Sequence, residues 1–68
     1  MKSHSNHKYL NEHEVAELTG IKVGTLRNWR YRGVGPPFLK IGRLVRYDLV
    51  DVEAFMESSK VKTVNSQQ

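Results

Sequence analysis

The sequence predicts an α+β domain of three short helices and a two-stranded antiparallel hairpin. Three patterns carry that expectation. A capped amphipathic segment over residues 11–18 and a second helical period over residues 23–32 flank the break Thr19-Gly20-Ile21. Two strand-like runs, Phe38-Leu39-Lys40-Ile41 and Leu44-Val45-Arg46-Tyr47, are joined by only Gly42-Arg43. A third amphipathic segment follows Asp48.

Residues 1–8 are polar and show no helical or strand period, so they are expected to form a disordered arm. The first helix starts after Asn11, whose side chain can cap free backbone N–H groups while Glu14 reaches back to the cap. Leu10 and Val15 form a hydrophobic staple around that start. Val15 and Leu18 make the buried stripe, Glu12, Glu14 and Glu17 fall on or near the solvent side, and the acids near the N-terminus suit the helix dipole. Gly20 can adopt the left-handed conformation that ends the helix and turns the chain. In the second helix Leu26 and Trp29 share one face, while Thr25, Asn28 and Arg32 project from another. Helix, glycine turn and helix with the charge on the second is the arrangement of a DNA reader, although helical hairpins also serve other ends.

Gly33-Val34-Gly35-Pro36-Pro37 must end the second helix, because proline lacks the N–H that a helix needs. A two-residue connection beginning with glycine fits a type II′ hairpin turn. It pairs Phe38 with Tyr47, Leu39 with Arg46, Lys40 with Val45 and Ile41 with Leu44. Phe38, Val45 and Tyr47 then face the core, and Leu39, Ile41, Leu44 and Arg46 face outwards. Asp48 is the cap of the third helix, with Asp51 in its first turn and Leu49, Val52, Phe55 and Met56 as its buried stripe. Residues 9–57 thus form the domain, and residues 58–68, mostly polar, are expected to be a disordered tail.

At 68 residues and 7.9 kDa the chain is one small domain. It has no cysteine, so neither disulfides nor thiolate metal sites are expected, which suits a cytoplasmic, nucleoid-associated protein. No apolar run is long enough for a membrane span or a signal-peptide core. Eleven Lys and Arg against seven Asp and Glu give a net charge of +4 and a pI near 9.7. The sorting matters more than the total. All seven acids lie outside the stretch from Lys22 to Arg46, which itself holds seven cations. Unpaired cations repel one another and weaken a small fold, so such a stretch implies a polyanionic partner.

The residues Tyr9-Leu10, Glu14-Val15-Ala16-Glu17-Leu18, Gly20-Ile21, Thr25-Leu26, Trp29-Arg30, Gly33, Pro37-Phe38, Lys40-Ile41-Gly42-Arg43, Val45-Arg46-Tyr47 and Asp51-Val52-Glu53-Ala54-Phe55 form one ordered pattern. In that order and spacing they resemble the excisionase and AlpA-like small winged helix-turn-helix proteins of the MerR-like superfamily. The resemblance implies duplex DNA binding, with the second helix in the major groove and the hairpin as the wing. It also implies a recombination directionality factor or a small transcription regulator of a prophage or integrated element. Two departures stand out. Lys22-Val23-Gly24 replaces the usual serine-led start of the second helix, which weakens the cap. Leu44 replaces a second wing arginine, which removes a phosphate contact and exposes an apolar group.

Arg27 and Asn28 are the preferred base readers, because the guanidinium fork matches guanine O6 and N7 and the amide matches adenine N6 and N7. Thr25 can contact a phosphate or a thymine methyl, or cap the helix. Lys22, Arg30, Tyr31, Arg32, Lys40, Arg43 and Arg46 are candidates for phosphate and wing contacts. Lys40 is placed towards the core side by the pairing, and Tyr31 has packing as its alternative. Trp29 belongs with Leu26 in the core rather than on a base. His4, His7 and His13 lack the spacing of a helical metal site, and no cofactor is expected. No nucleophile and base pair suggests an enzyme. The expected partners are double-stranded DNA, an integrase-like recombinase and neighbouring copies on DNA, with no membrane and no small-molecule substrate. From a different class, the basic face could dock on an acidic protein.

Overall fold

A computed structural model describes residues 7–61. The chain enters on a short strand, β1 (Tyr9–Leu10), and turns at once into helix α1 (Glu12–Thr19). The start is the expected box: the Asn11 side chain accepts from the Glu14 N–H at 2.9 Å, and the Glu14 carboxylate accepts from the Asn11 N–H at 2.8 Å. Gly20 ends the helix at φ 81°, and its N–H donates to the Ala16 carbonyl. Helix α2 (Val23–Arg32) follows, with no side-chain cap on Lys22. Gly33 closes it, again in the left-handed region at φ 75°.

Strands β2 (Leu39–Ile41) and β3 (Leu44–Asp48) form the hairpin in the expected register, Leu39 with Arg46, Lys40 with Val45 and Ile41 with Leu44. Gly42 takes φ 62°, as a turn beginning with glycine requires. The sheet has three strands, not two, in the order β1-β3-β2. Tyr9 pairs with Asp48 and Leu10 with Tyr47, both antiparallel. A strand of two residues is too short to show a period of two, so the sequence carries no signal for β1. The ladder between β2 and β3 stops at Leu39, and Tyr47 finds its sheet partner in Leu10 rather than in Phe38.

Asp48 ends β3 and caps helix α3 (Leu49–Ser58), accepting from the Val50 N–H at 3.1 Å. Two residues expected in the arm help to seat this helix. The Lys8 carbonyl accepts from the Leu49 N–H at 2.8 Å, and His7 Nδ1 lies 2.5 Å from Asp48 Oδ2. The rest of the expected arm, residues 1–6, and of the expected tail, residues 62–68, lie outside the described residues.

Leu10, Val15, Leu26, Tyr47 and Val52 are the buried apolar core, one each from β1, α1, α2, β3 and α3, with Ala16, Ile21, Trp29, Val45 and Leu49 packed around them. Burying each such side chain contributes about 1.5–3 kcal/mol, and a core this small has none to lose. Three residues expected in the core are only half covered: Leu18, Met56 and Phe38. Leu18 is rotated about 60° from Val15 around α1, away from the face that α2 and β3 cover. Met56 sits in the last turn of α3, beyond Val52. Phe38 packs its ring against Tyr47, with centroids 6.2 Å apart, and leaves its other side to the surface.

Candidate nucleic-acid interface

Burial around α2 alternates as a reading helix requires. Leu26 is fully buried, while Trp29 is partly buried and meets Phe55 edge-on at 5.9 Å between centroids. Trp29 is therefore a packing residue. Gly24, Arg27, Asn28 and Tyr31 are exposed, and at spacings of three, four and seven they share one face. Tyr31 is 91% exposed, which removes packing as its role. Thr25 is half-buried at the edge of that face.

Between α2 and the hairpin lies a groove of about 330 Å³, lined by Arg27, Arg30, Arg43 and Arg46 together with Glu12, Asn11, His13, Leu44 and Val45. Four of the seven cations of the basic stretch thus converge on one surface, from the reading helix on one side and the wing on the other. Arg43 is exposed at the hairpin turn, and Arg46 is partly buried with Nη1 donating to its neighbour's carbonyl, Val45 O, at 2.8 Å. Lys22, Arg32 and Lys40 are exposed outside this groove, without an ion-pair partner among the described residues. Lys40 is not folded against the core, as its position in the register had suggested.

The floor of the groove corrects the expectation for Glu12 and places Arg30. Glu12 is not on the solvent side of α1: its side chain is 16% exposed and takes both arginines of α2. Arg27 donates from Nε at 3.1 Å and from Nη2 at 2.5 Å to Oε2, while Arg30 Nη2 donates to Oε1 at 3.0 Å. The hydrogen bond from Arg27 does most to hold the Glu12 carboxyl down at about 2, against the opposing pull of burial, with Arg30 assisting. Arg27 rises in turn through the same hydrogen bond.

Arg30, a phosphate candidate, is turned inwards in the protein without DNA, with 17% of its side chain exposed. Its Nη1 donates to the Tyr47 hydroxyl at 2.7 Å, and its guanidinium lies 5.8 Å from the Phe38 ring centroid and 6.0 Å from that of Tyr47. Burial pulls this group down, but the hydrogen bonds it donates to Tyr47 and Glu12 outweigh that and its pKa is raised. The physical reason is position. Arg30 follows Leu26 by four residues, so it lies on the core side of α2 rather than on the Arg27–Asn28 face. Sequence reasoning missed Glu12 and the Tyr47 hydroxyl because both meet α2 only through the tertiary fold, 15 to 18 residues away in the chain.

The described histidines, His7 and His13, are each placed beside a single carboxylate. His7 is held by Asp48, His13 Nε2 is 3.9 Å from Glu12, His4 lies outside the described residues, and the described residues contain no group of three or more metal-binding side chains. Among the described residues no helix is long and apolar enough to cross a membrane.

Two helices joined by a tight glycine turn, an exposed polar face on the second, and a basic hairpin beside it define a DNA-binding helix-turn-helix protein with a wing. A family model described as a helix-turn-helix domain matches residues 9–60. The chain belongs to that family, which includes the excisionase and AlpA-like small DNA-binding proteins and whose fold supports sequence-specific binding of double-stranded DNA. Comparison with curated proteins and with solved structures returns no match.

Proposed function

We propose that this protein is an excisionase-like recombination directionality factor, which binds adjacent DNA sites and helps to bend them into a recombination complex. The observation that carries the reading is the arginine-lined groove between α2 and the hairpin, within a helix-turn-helix domain. Helix α2 enters the major groove, with Arg27 and Asn28 on base edges and Thr25 beside them. Arg43 and Arg46 of the wing, with Lys22, Arg32 and Lys40, hold phosphates, and the Tyr31 hydroxyl can do the same. Arg30 acts from within, by fixing the wing to α2. One module of this kind buries about 600–1,000 Å² on DNA, so useful affinity depends on neighbouring copies or an integrase-like partner.

Selection of bound fragments from genomic DNA, followed by footprinting, tests the reading. Several clustered, cooperatively filled sites at an attachment region are expected. Protection confined to a promoter makes the protein a transcription regulator instead, and no duplex binding at low salt leaves the basic face to an acidic protein partner. On a selected site, Arg27→Ala should relax preference at one base pair, whereas Arg43→Ala should weaken every duplex alike. Equal losses from both on all duplexes contradict this division of roles.

A further inference from the structure

Among the described residues, the Glu12 carboxylate is the one acidic group lining a groove that otherwise attracts phosphate. Its geometry is selective. A guanidinium has two edges able to make a pair of parallel hydrogen bonds: the side edge, Nε with Nη2, and the end edge, Nη1 with Nη2. Glu12 occupies the side edge of Arg27, accepting from Nε and Nη2. Among the described residues nothing accepts from the end edge, and the side chain is 60% exposed. The same carboxylate is itself fixed from behind, because its Oε1 accepts from Arg30, which bonds in turn to the Tyr47 hydroxyl in the core.

We infer that Glu12 is the positioning residue for base recognition: it locks the side edge of Arg27 so that the free end edge is presented to O6 and N7 of a guanine. The inference rests on the DNA-reading role proposed above and deepens it. A long, free arginine would sweep across bases and phosphates alike, and would give affinity without preference. Held in one plane, it loses less freedom on meeting its base and cannot swing to a phosphate. The negative charge also subtracts from the attraction that every duplex exerts on this groove, so it lowers binding to wrong sequences as well as sharpening the right one. Because the clamp continues through Arg30 to Tyr47 of β3, the orientation of the reading side chain is tied to the seating of the wing.

The test compares wild type, Glu12→Gln, Glu12→Asp, Arg27→Ala and the double variant Glu12→Gln/Arg27→Ala on a selected duplex, its single-base variants and a random duplex, with circular dichroism to follow folding. Glu12→Gln should lose about tenfold in preference at the same base pair that Arg27→Ala relaxes. It should also gain affinity for the random duplex, with a salt slope steeper by up to about 0.9 as one more cation reaches a phosphate. The double variant should discriminate no worse than Arg27→Ala alone. Glu12→Asp keeps the charge and suits a helix start, so it carries the test even if the amide variant unfolds. Withdrawn by one methylene from the Nε edge, it should keep the wild-type affinity for random duplex and lose preference at that base pair. Full preference in the folded Glu12 variants, equal loss at all base pairs, or additive losses in the double variant would each overturn the role of Glu12 while leaving DNA reading intact. A wild type that prefers no duplex overturns the DNA-reading role and the inference with it.

Discussion

Arg30 shows how much one side chain can hold together in a domain with a five-residue apolar core. It joins α2 to the Tyr47 hydroxyl, to Glu12 and to the faces of two aromatic rings. Lysine cannot reproduce that planar fork, so Arg30→Lys should lower stability by about 1–3 kcal/mol in urea unfolding even though the charge is kept. An unchanged midpoint would show the contacts to be idle. Gly35 is the second residue on which the local structure turns. It lies at φ 89°, and a β-carbon there would stand 2.7 Å from Cε3 of Trp29. Backbone strain and the clash with a packed indole act together, so Gly35→Ala should cost at least about 2 kcal/mol, read as a fall in Tm. By contrast, a β-carbon at Gly24 meets nothing within 4 Å, and its backbone is helical. The exposed start of α2 therefore keeps a poor helix former with no steric need inside the protein. Gly24→Ala should raise stability by about 0.4–1 kcal/mol and, if the base edges approach that face closely, weaken DNA binding. Higher stability with unchanged affinity in a duplex titration would place the contact elsewhere on the helix.

At the scale of elements, α1 and α2 are bound by a carboxylate whose protonation can be followed. Glu12 titrates near 4.5 when unfolded and at about 2 in the folded protein. Since the folded value is depressed, the unfolded chain takes up the proton first, and the stabilisation is whole above the unfolded value and lost as pH falls from 4.5 towards 2. Arg27 is largely in water, which screens that half of the interaction, so the stabilisation is smaller than the shift alone implies. Wild type should therefore lose more stability than Glu12→Gln through this window, as measured by urea unfolding at stepped pH, and parallel losses would discharge Glu12 from that role. Which parts of these elements were legible follows from how local their causes are. The Asn11–Glu14 box, the Gly20 turn, the Asp48 cap and the hairpin register are each decided within a few residues, and each was readable. Strand β1 and the Glu12–Arg27–Arg30 cluster depend on partners far along the chain, which no periodicity records. The basic side chains were legible as a set but not individually, because charge alone does not say that Arg30 faces the core while Arg27 faces out.

For the whole molecule, sorting of charge matters more than its sum. The net charge is only +4, yet α2 and the wing bring four arginines to one groove while most of the acids stay on α1 and α3. Glu12 and Arg30 reduce what that surface offers a phosphate: the first neutralises, and the second is engaged with the fold. In the proposed reading Arg27 is kept for a base, which leaves Lys22, Arg32, Lys40, Arg43 and Arg46 for phosphates. If about five phosphates are neutralised by these groups, log K against log salt should fall with a slope near −4.5. Replacing Arg43 should reduce the magnitude of the slope by about 0.9 and weaken all duplexes alike, since a side chain at the turn contacts the backbone whatever the sequence. Arg30→Lys should leave the slope of the folded protein nearly unchanged, since its charge stays inside. Titrations over a series of salt concentrations with wild type and both variants separate these cases. A slope near zero would remove the phosphate contacts, and equal changes from Arg43 and Arg30 variants would mean that the inner arginine leaves its core partners when DNA arrives.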